Sequence, residues 1–243
     1  MTYRLPALLC IALVLLPAAA LPAAEDPRDF SGVWQAYASS VPLDDAASAQ
    51  LTPEGEVLVA DFAARFPNAV EPAAYCIPAA MPEMMTASAA TLEVLHSYNR
   101  LTLLGADGAV RRIFLDDRTL PPEQAATRLG YSIGRWENDT LVIETTALDD
   151  MPTGRWPRTE NTTVVERVTK TTRDRVSAAP DAADASATLD NAVLALELTL
   201  SDATLYREPQ RVTLYYQHLD TESPPESDCA TRLWMQALEA ANQ

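Results

Sequence analysis

The chain has 243 residues, 48% of them hydrophobic and 21% charged, and a formal net charge of −16 at pH 7. So acidic a surface repels phosphate backbones and anionic lipid heads, which argues against nucleic acid as a partner. Seven glycines and two histidines leave little material for a phosphate-cradling loop or a metal cluster.

The amino terminus runs from Arg4 through an apolar stretch, Leu5 to Leu16, to Pro17 and the alanine-rich Ala18 to Ala24. That order is the order of a secretory signal, and the apolar run is shorter than the roughly 20 residues of a spanning helix. Residues 1–24 are therefore expected to be a cleaved signal peptide, with no permanent membrane anchor. Residues 25–243 are expected to form a single β-rich domain that works in the periplasm or outside the cell. Of three cysteines, Cys10 lies in the signal; Cys76 and Cys229 remain and, in an oxidising compartment, read as a disulfide. No metal site and no cofactor are expected, because there is no C-x-x-C and the only histidines are His96 and His218.

Alternation within Asp26 to Ser39 predicts a first strand with Gly32, Trp34 and Ala36 on one face and Val33, Gln35 and Tyr37 on the other. Thr52 then reads as a helix cap, with Pro53 at the first position and Glu54 and Glu56 at the positive end of the dipole. Leu58, Phe62 and Phe66 recur every fourth residue and are expected to pack that helix on the sheet. Ile77 to Thr86, with two prolines and three methionines, reads as a covering loop whose methionines fill core or line an adaptable apolar site. Leu92–Ser97, Arg100–Leu104 and Ala109–Asp116 form a predicted three-stranded meander.

Gly130 to Thr146 is the clearest local pattern, two β-rich runs around the turn-forming Asn138-Asp139. A two-residue turn there puts Ser132 opposite Thr145, Gly134 opposite Ile143 and Trp136 opposite Leu141, all on one face. On the other face Arg135 and Glu144 become diagonal neighbours able to pair. Further strands are predicted at Thr162–Thr169, Val193–Leu200 and Arg211–His218, with an Ala/Asp/Ser-rich flexible insertion at 177–191 between them. A last helix from Asp228 to Ala241 carries an apolar stripe of Leu233, Trp234, Ala237, Leu238 and Ala241. Eight or nine strands and two helices make the fold mainly β, an antiparallel barrel or sandwich with one helix in the N-terminal half and one at the C-terminus.

Gly32-Val33-Trp34 resembles the G-x-W of lipocalin-type barrels, whose tryptophan closes one end under an arginine from a late strand; that resemblance casts Arg211 in the covering role. Asp29–Trp34 (DFSGVW), Leu51-Thr52-Pro53-Glu54, the Cys76–Met84 stretch, Arg111-Arg112-Ile113-Phe114 and the hairpin GYSIGRWENDTLV together resemble a widespread family of exported bacterial proteins. The match in order and spacing spans most of the chain beyond the signal. The resemblance implies export and a lipocalin-like barrel rather than a reaction. Asn138 stands where that family usually has glycine, and Arg158 where relatives tend to carry a histidine.

There is no G-x-S-x-G, H-E-x-x-H, phosphate loop or dinucleotide fingerprint in the chain. The leading expectation is a binding protein that holds an apolar or amphiphilic small molecule in the barrel, with Ser132, Gly134, Trp136, Ile143 and Thr145 as ligand-binding residues, because small side chains beside an aromatic leave room inside. The alternative is a cofactor-free isomerase, hydratase or cyclase, with Glu160, Glu166, Arg112, Asp116 and Tyr206 as acid–base candidates. A third class is a docking module that meets another exported protein through the C-terminal helix or the methionine loop.

Overall fold

The computed structural model describes residues 26–40, 50–67, 75–87, 90–152, 156–176, 191–225 and 229–241. The expected signal peptide lies outside the described residues, as does all but Asn191 of the expected insertion. Among the described residues the strands are β1 (Gly32–Ser39), β2 (Thr91–Ser97), β3 (Arg100–Gly105), β4 (Val110–Phe114), β5 (Tyr131–Glu137), β6 (Thr140–Thr146), β7 (Thr163–Thr172), β8 (Ala192–Ser201) and β9 (Gln210–Leu219). They close in chain order into one barrel, β9 returning to pair with β1. The fold is therefore mainly β, a lipocalin-like closed barrel.

All neighbours are antiparallel except β4 and β5, which run parallel through only two registered pairs, Ile113↔Ser132 and Phe114↔Ile133. The β5–β6 hairpin has the register that its sequence predicts: Ser132↔Thr145, Gly134↔Ile143 and Trp136↔Leu141. Asn138 supplies the left-handed backbone of its turn, with φ of 56°, a conformation that asparagine adopts more readily than most residues. Arg135 does not pair with Glu144. It turns along its own strand to Glu137, which also receives Arg167 from β7.

Alternation fills the barrel. Trp34 and Ala36 of β1, Leu92 and Val94 of β2, Leu101 and Leu103 of β3, Leu196, Leu198 and Leu200 of β8 and Leu214 of β9 all point inward and are buried. Full burial of each such side chain contributes about 1.5–3 kcal/mol.

The helices are peripheral. Helix α1 (Pro53–Arg65) is capped by the Thr52 hydroxyl, which accepts from the Gly55 N–H at 3.0 Å. Only Gly55 is buried in it, and a Cβ there would lie 2.5 Å from the Leu205 carbonyl oxygen. Leu58 packs against the core, whereas Phe66, expected on the sheet, is 52% exposed and meets the Phe62 ring at a tilt instead. The Met-rich segment forms a one-turn helix, α2 (Glu83–Thr86), that plugs one end of the barrel. Met81, Met84 and Met85 are buried there, so the segment fills core and presents no methionine surface for docking.

The C-terminal helix α3 (Cys229–Ala241) is tied to the loop before α2 by the Cys76–Cys229 disulfide, with Cα atoms 5.6 Å apart. Of its expected packing stripe, Trp234 and Leu238 are exposed. A covalent tether keeps the helix close without needing that face. No helix among the described residues is long and apolar enough to cross a membrane.

Candidate functional site

Among the described residues one buried charge pair interrupts the largely apolar barrel interior. Arg111 of β4 points inward, two residues before Ile113, and meets Glu166 of β7, which lies between inward Val164 and Val168. Both side chains are buried, at 1% and 0% exposure. The pairing is bidentate: Arg111 Nη1 donates to Glu166 Oε1 at 3.0 Å and Nη2 donates to Oε2. Ser132 of β5 accepts from Arg111 Nε at 3.1 Å and Thr145 of β6 accepts from Nη2 at 2.9 Å, while the two hydroxyls share a bond of 2.8 Å. Four guanidinium N–H groups are thus used, leaving one on Nη1 and a second lone pair on each carboxylate oxygen.

Beside this pair lies a cavity of about 40 Å³ whose accessible surface is wholly apolar, with walls that include Phe30, Trp34, Leu101, Ile143, Leu196 and Met85. By volume it has room for about three waters. Tyr216 of β9 lines the same cavity and donates its hydroxyl to the Met85 carbonyl of the plug. Burial first, and then the Glu166 carboxylate, hold the Tyr216 phenol well above its ordinary value, with Arg111 pulling the other way. Tyr216 therefore stays a neutral donor at neutral pH.

The plug is held by a few polar contacts. Trp156 Nε1 donates to the Thr86 hydroxyl at 3.0 Å, and Met81 N–H to the Arg128 carbonyl at 2.9 Å. Arg158, 1% exposed, reaches Asp149 at 2.7 Å and Glu83 of α2 at 3.8 Å. At the position where a histidine is expected from the family resemblance, this chain thus carries a buried, doubly paired arginine.

Of the five residues expected to bind ligand, Ile143 lines the cavity, and Ser132 and Thr145 stand behind Arg111 and orient it. Gly134 does not make room for Trp34. A Cβ there would meet Leu115 at 2.8 Å, Ile113 at 3.0 Å and Leu141 at 3.3 Å, so the glycine lets β5 close onto the segment around β4. Trp136 is half-buried at the end opposite the plug, 5.3 Å from Phe30 and under the Arg28 guanidinium.

The five acid–base candidates do not form one constellation. Glu166 alone reaches the interior. Arg112 points outward, its neighbour Arg111 taking the inward position that alternation from Ile113 dictates. Asp116 is held by Arg118 on the surface, which lowers its pKa. Glu160 is exposed on a turn, and the buried Tyr206 donates to the Pro157 carbonyl at the plug end. Arg211 is exposed as well and does not cover Trp34. That role falls to His218, whose ring lies 4.9 Å from it.

Sequence reasoning missed Arg111 and Tyr216. The signal for both was parity: Ile113 fixes Arg111, and Leu214 fixes Tyr216, on the inner face. Among the described residues no group of three or more histidine, cysteine or acidic side chains is placed to hold a metal ion. Neither the protein-family models nor the curated proteins give a match to this chain.

Proposed function

We propose that this barrel is an exported binding protein that takes an apolar or amphiphilic small molecule into its interior, against Arg111 and Glu166. The observation that carries the reading is the ion pair itself. Replacing a buried ion pair with packed hydrophobic side chains is often neutral or stabilising by about 1–4 kcal/mol. A barrel that needed only a core would do as well with leucine and methionine at these two positions. A charge pair at the edge of a cavity, with one N–H and two lone pairs to spare, is what a ligand with a polar end requires.

The pair is neutral overall, and its open valences are one donor and two acceptors. They suit an uncharged head that both accepts and donates, a hydroxyl or a primary amide, on an apolar body. Ligands of drug size occupy about 300–1,000 Å³, so admission requires the plug to yield. Met85 is the side chain suited to this, being unbranched and adaptable, and the Tyr216 bond to its carbonyl is the contact that breaks. The disulfide and the leader-like amino terminus support the exported setting.

Native mass spectrometry of the mature protein from its own host, followed by titration with long-chain primary alcohols, tests the reading. Expected is a retained or added apolar molecule that Met85→Trp, which fills the chamber, excludes. A wild-type protein that carries no adduct and takes up no alcohol overturns it.

A further inference from the structure

The end of the barrel opposite the plug holds a second group of polar side chains, walled off from the interior by Trp34. We infer that it is a site for a small zwitterion, with Asp26 and Asp29 receiving an ammonium group and Lys170 and His218 a carboxylate. The inference is independent of the interior binding reading.

The placement follows from strand parity. On β7 the inward series Val164, Glu166, Val168 continues to Lys170 near the strand end. On β9 the inward series Val212, Leu214, Tyr216 ends at His218, and Ala192 opens the inward series of β8. These strand ends meet the lead-in to β1, which brings Asp26, Asp29 and Ser31, and together they line an open pocket of about 280 Å³ with Trp34 as its floor. That volume falls just below the range of about 300–1,000 Å³ for drug-sized ligands and suits something nearer a free amino acid.

The composition of the lining is not that of the surface at large. The chain has 18 basic residues, and Lys170 is the only lysine among them. It sits on the axis side of a strand end, in a strongly acidic protein, as a compact charge for a carboxylate. Asp29 is a fixed negative charge: its Oδ1 accepts the Ser31 N–H at 2.9 Å. Opposite charges on one rim select a ligand that carries both and disfavour a simple anion or cation.

The histidine is built in. Gly32 has φ of +118°, and a Cβ on it would lie 2.5 Å from His218 Nε2. Any other residue at 32 displaces the ring, which is otherwise fixed against Trp34 at 4.9 Å. His96 lies outside the pocket lining with its Nδ1 3.8 Å from Asp29 Oδ1.

Isothermal titration calorimetry with the common α-amino acids, one at a time, tests the assignment. For each that binds, the N-acetyl derivative and the carboxamide are then titrated. Expected is binding of at least one amino acid, with both blocked forms weaker by about tenfold or more, the loss of one charge-assisted contact. Lys170→Met and Asp29→Asn are each expected to remove binding while the protein still unfolds cooperatively, Lys170→Met with thermal stability near the wild type. Met85→Trp, which closes the interior chamber, is expected to keep it. Absence of binding by every amino acid overturns the inference, and so does equal binding of the blocked forms or of the Lys170→Met protein.

Discussion

Replacing Glu166 with glutamine removes one charge from a pair that has almost no contact with water. Arg111 cannot respond by losing its proton, because a guanidinium stays charged at any accessible pH. It is left 1% exposed, with two hydroxyls and one amide oxygen in place of a carboxylate. Breaking one side of a buried pair costs about 3–5 kcal/mol. In a domain of about this size that lowers Tm by roughly 6–20 °C, at about 2–4 °C per kcal/mol. Urea denaturation followed by tryptophan fluorescence measures the loss. The double variant Arg111→Met/Glu166→Leu removes both charges and is expected to return to within about 1 kcal/mol of the wild type, or above it. A Glu166→Gln loss of about 0.5 kcal/mol or less would show that water reaches the pair. A double variant as weak as the single would show that the stabilisation comes from shape rather than charge.

Gly32→Ala is expected to cost about 1–3 kcal/mol in chemical denaturation, because its Cβ collides with His218 and its backbone lies where L side chains are strained. Asp29, whose pKa is lowered chiefly by the Ser31 N–H and hydroxyl, stabilises the fold fully above its unfolded value, about pH 4. That contribution fades as pH falls through the lower folded value, so the stability gap between wild type and Asp29→Asn is expected to close on acidification. Reducing Cys76–Cys229, which are 153 residues apart, is expected to lower stability by up to about 5 kcal/mol on the chain-entropy model. Thermal unfolding with and without reductant measures the loss.

The strands were legible because each buries one face and leaves the other in or near solvent, so a period of two survives in the sequence. The β5–β6 register followed from the turn pair Asn138-Asp139 alone. What the pattern hid has local causes. Arg111 and Arg112 are adjacent and identical in type, and the acid–base reading falls on Arg112, the outward one of the two. Parity would have corrected this, as it would have for Arg211, which precedes inward Val212. The α3 stripe was read as packing because an amphipathic helix ordinarily hides its apolar face, but a disulfide holds this one in place without that burial. The parallel β4–β5 pairing was invisible, since nothing in residues 115–130 encodes which way the next strand will run.

That pairing has a geometric origin. Strands that alternate up and down can close a ring only in even number, so nine in a ring require one junction where two run the same way. The odd junction here is also short, held by two residue pairs. It is the place where the circumference is weakest. Arg111 starts on one bank of it and bonds to Ser132 on the other, then to Thr145 and Glu166 on the next two strands. One side chain therefore works as a clasp across four staves of the barrel. A guest that draws Arg111 away from any of these partners also loosens the hoop, so occupancy and girth are set by the same group of bonds.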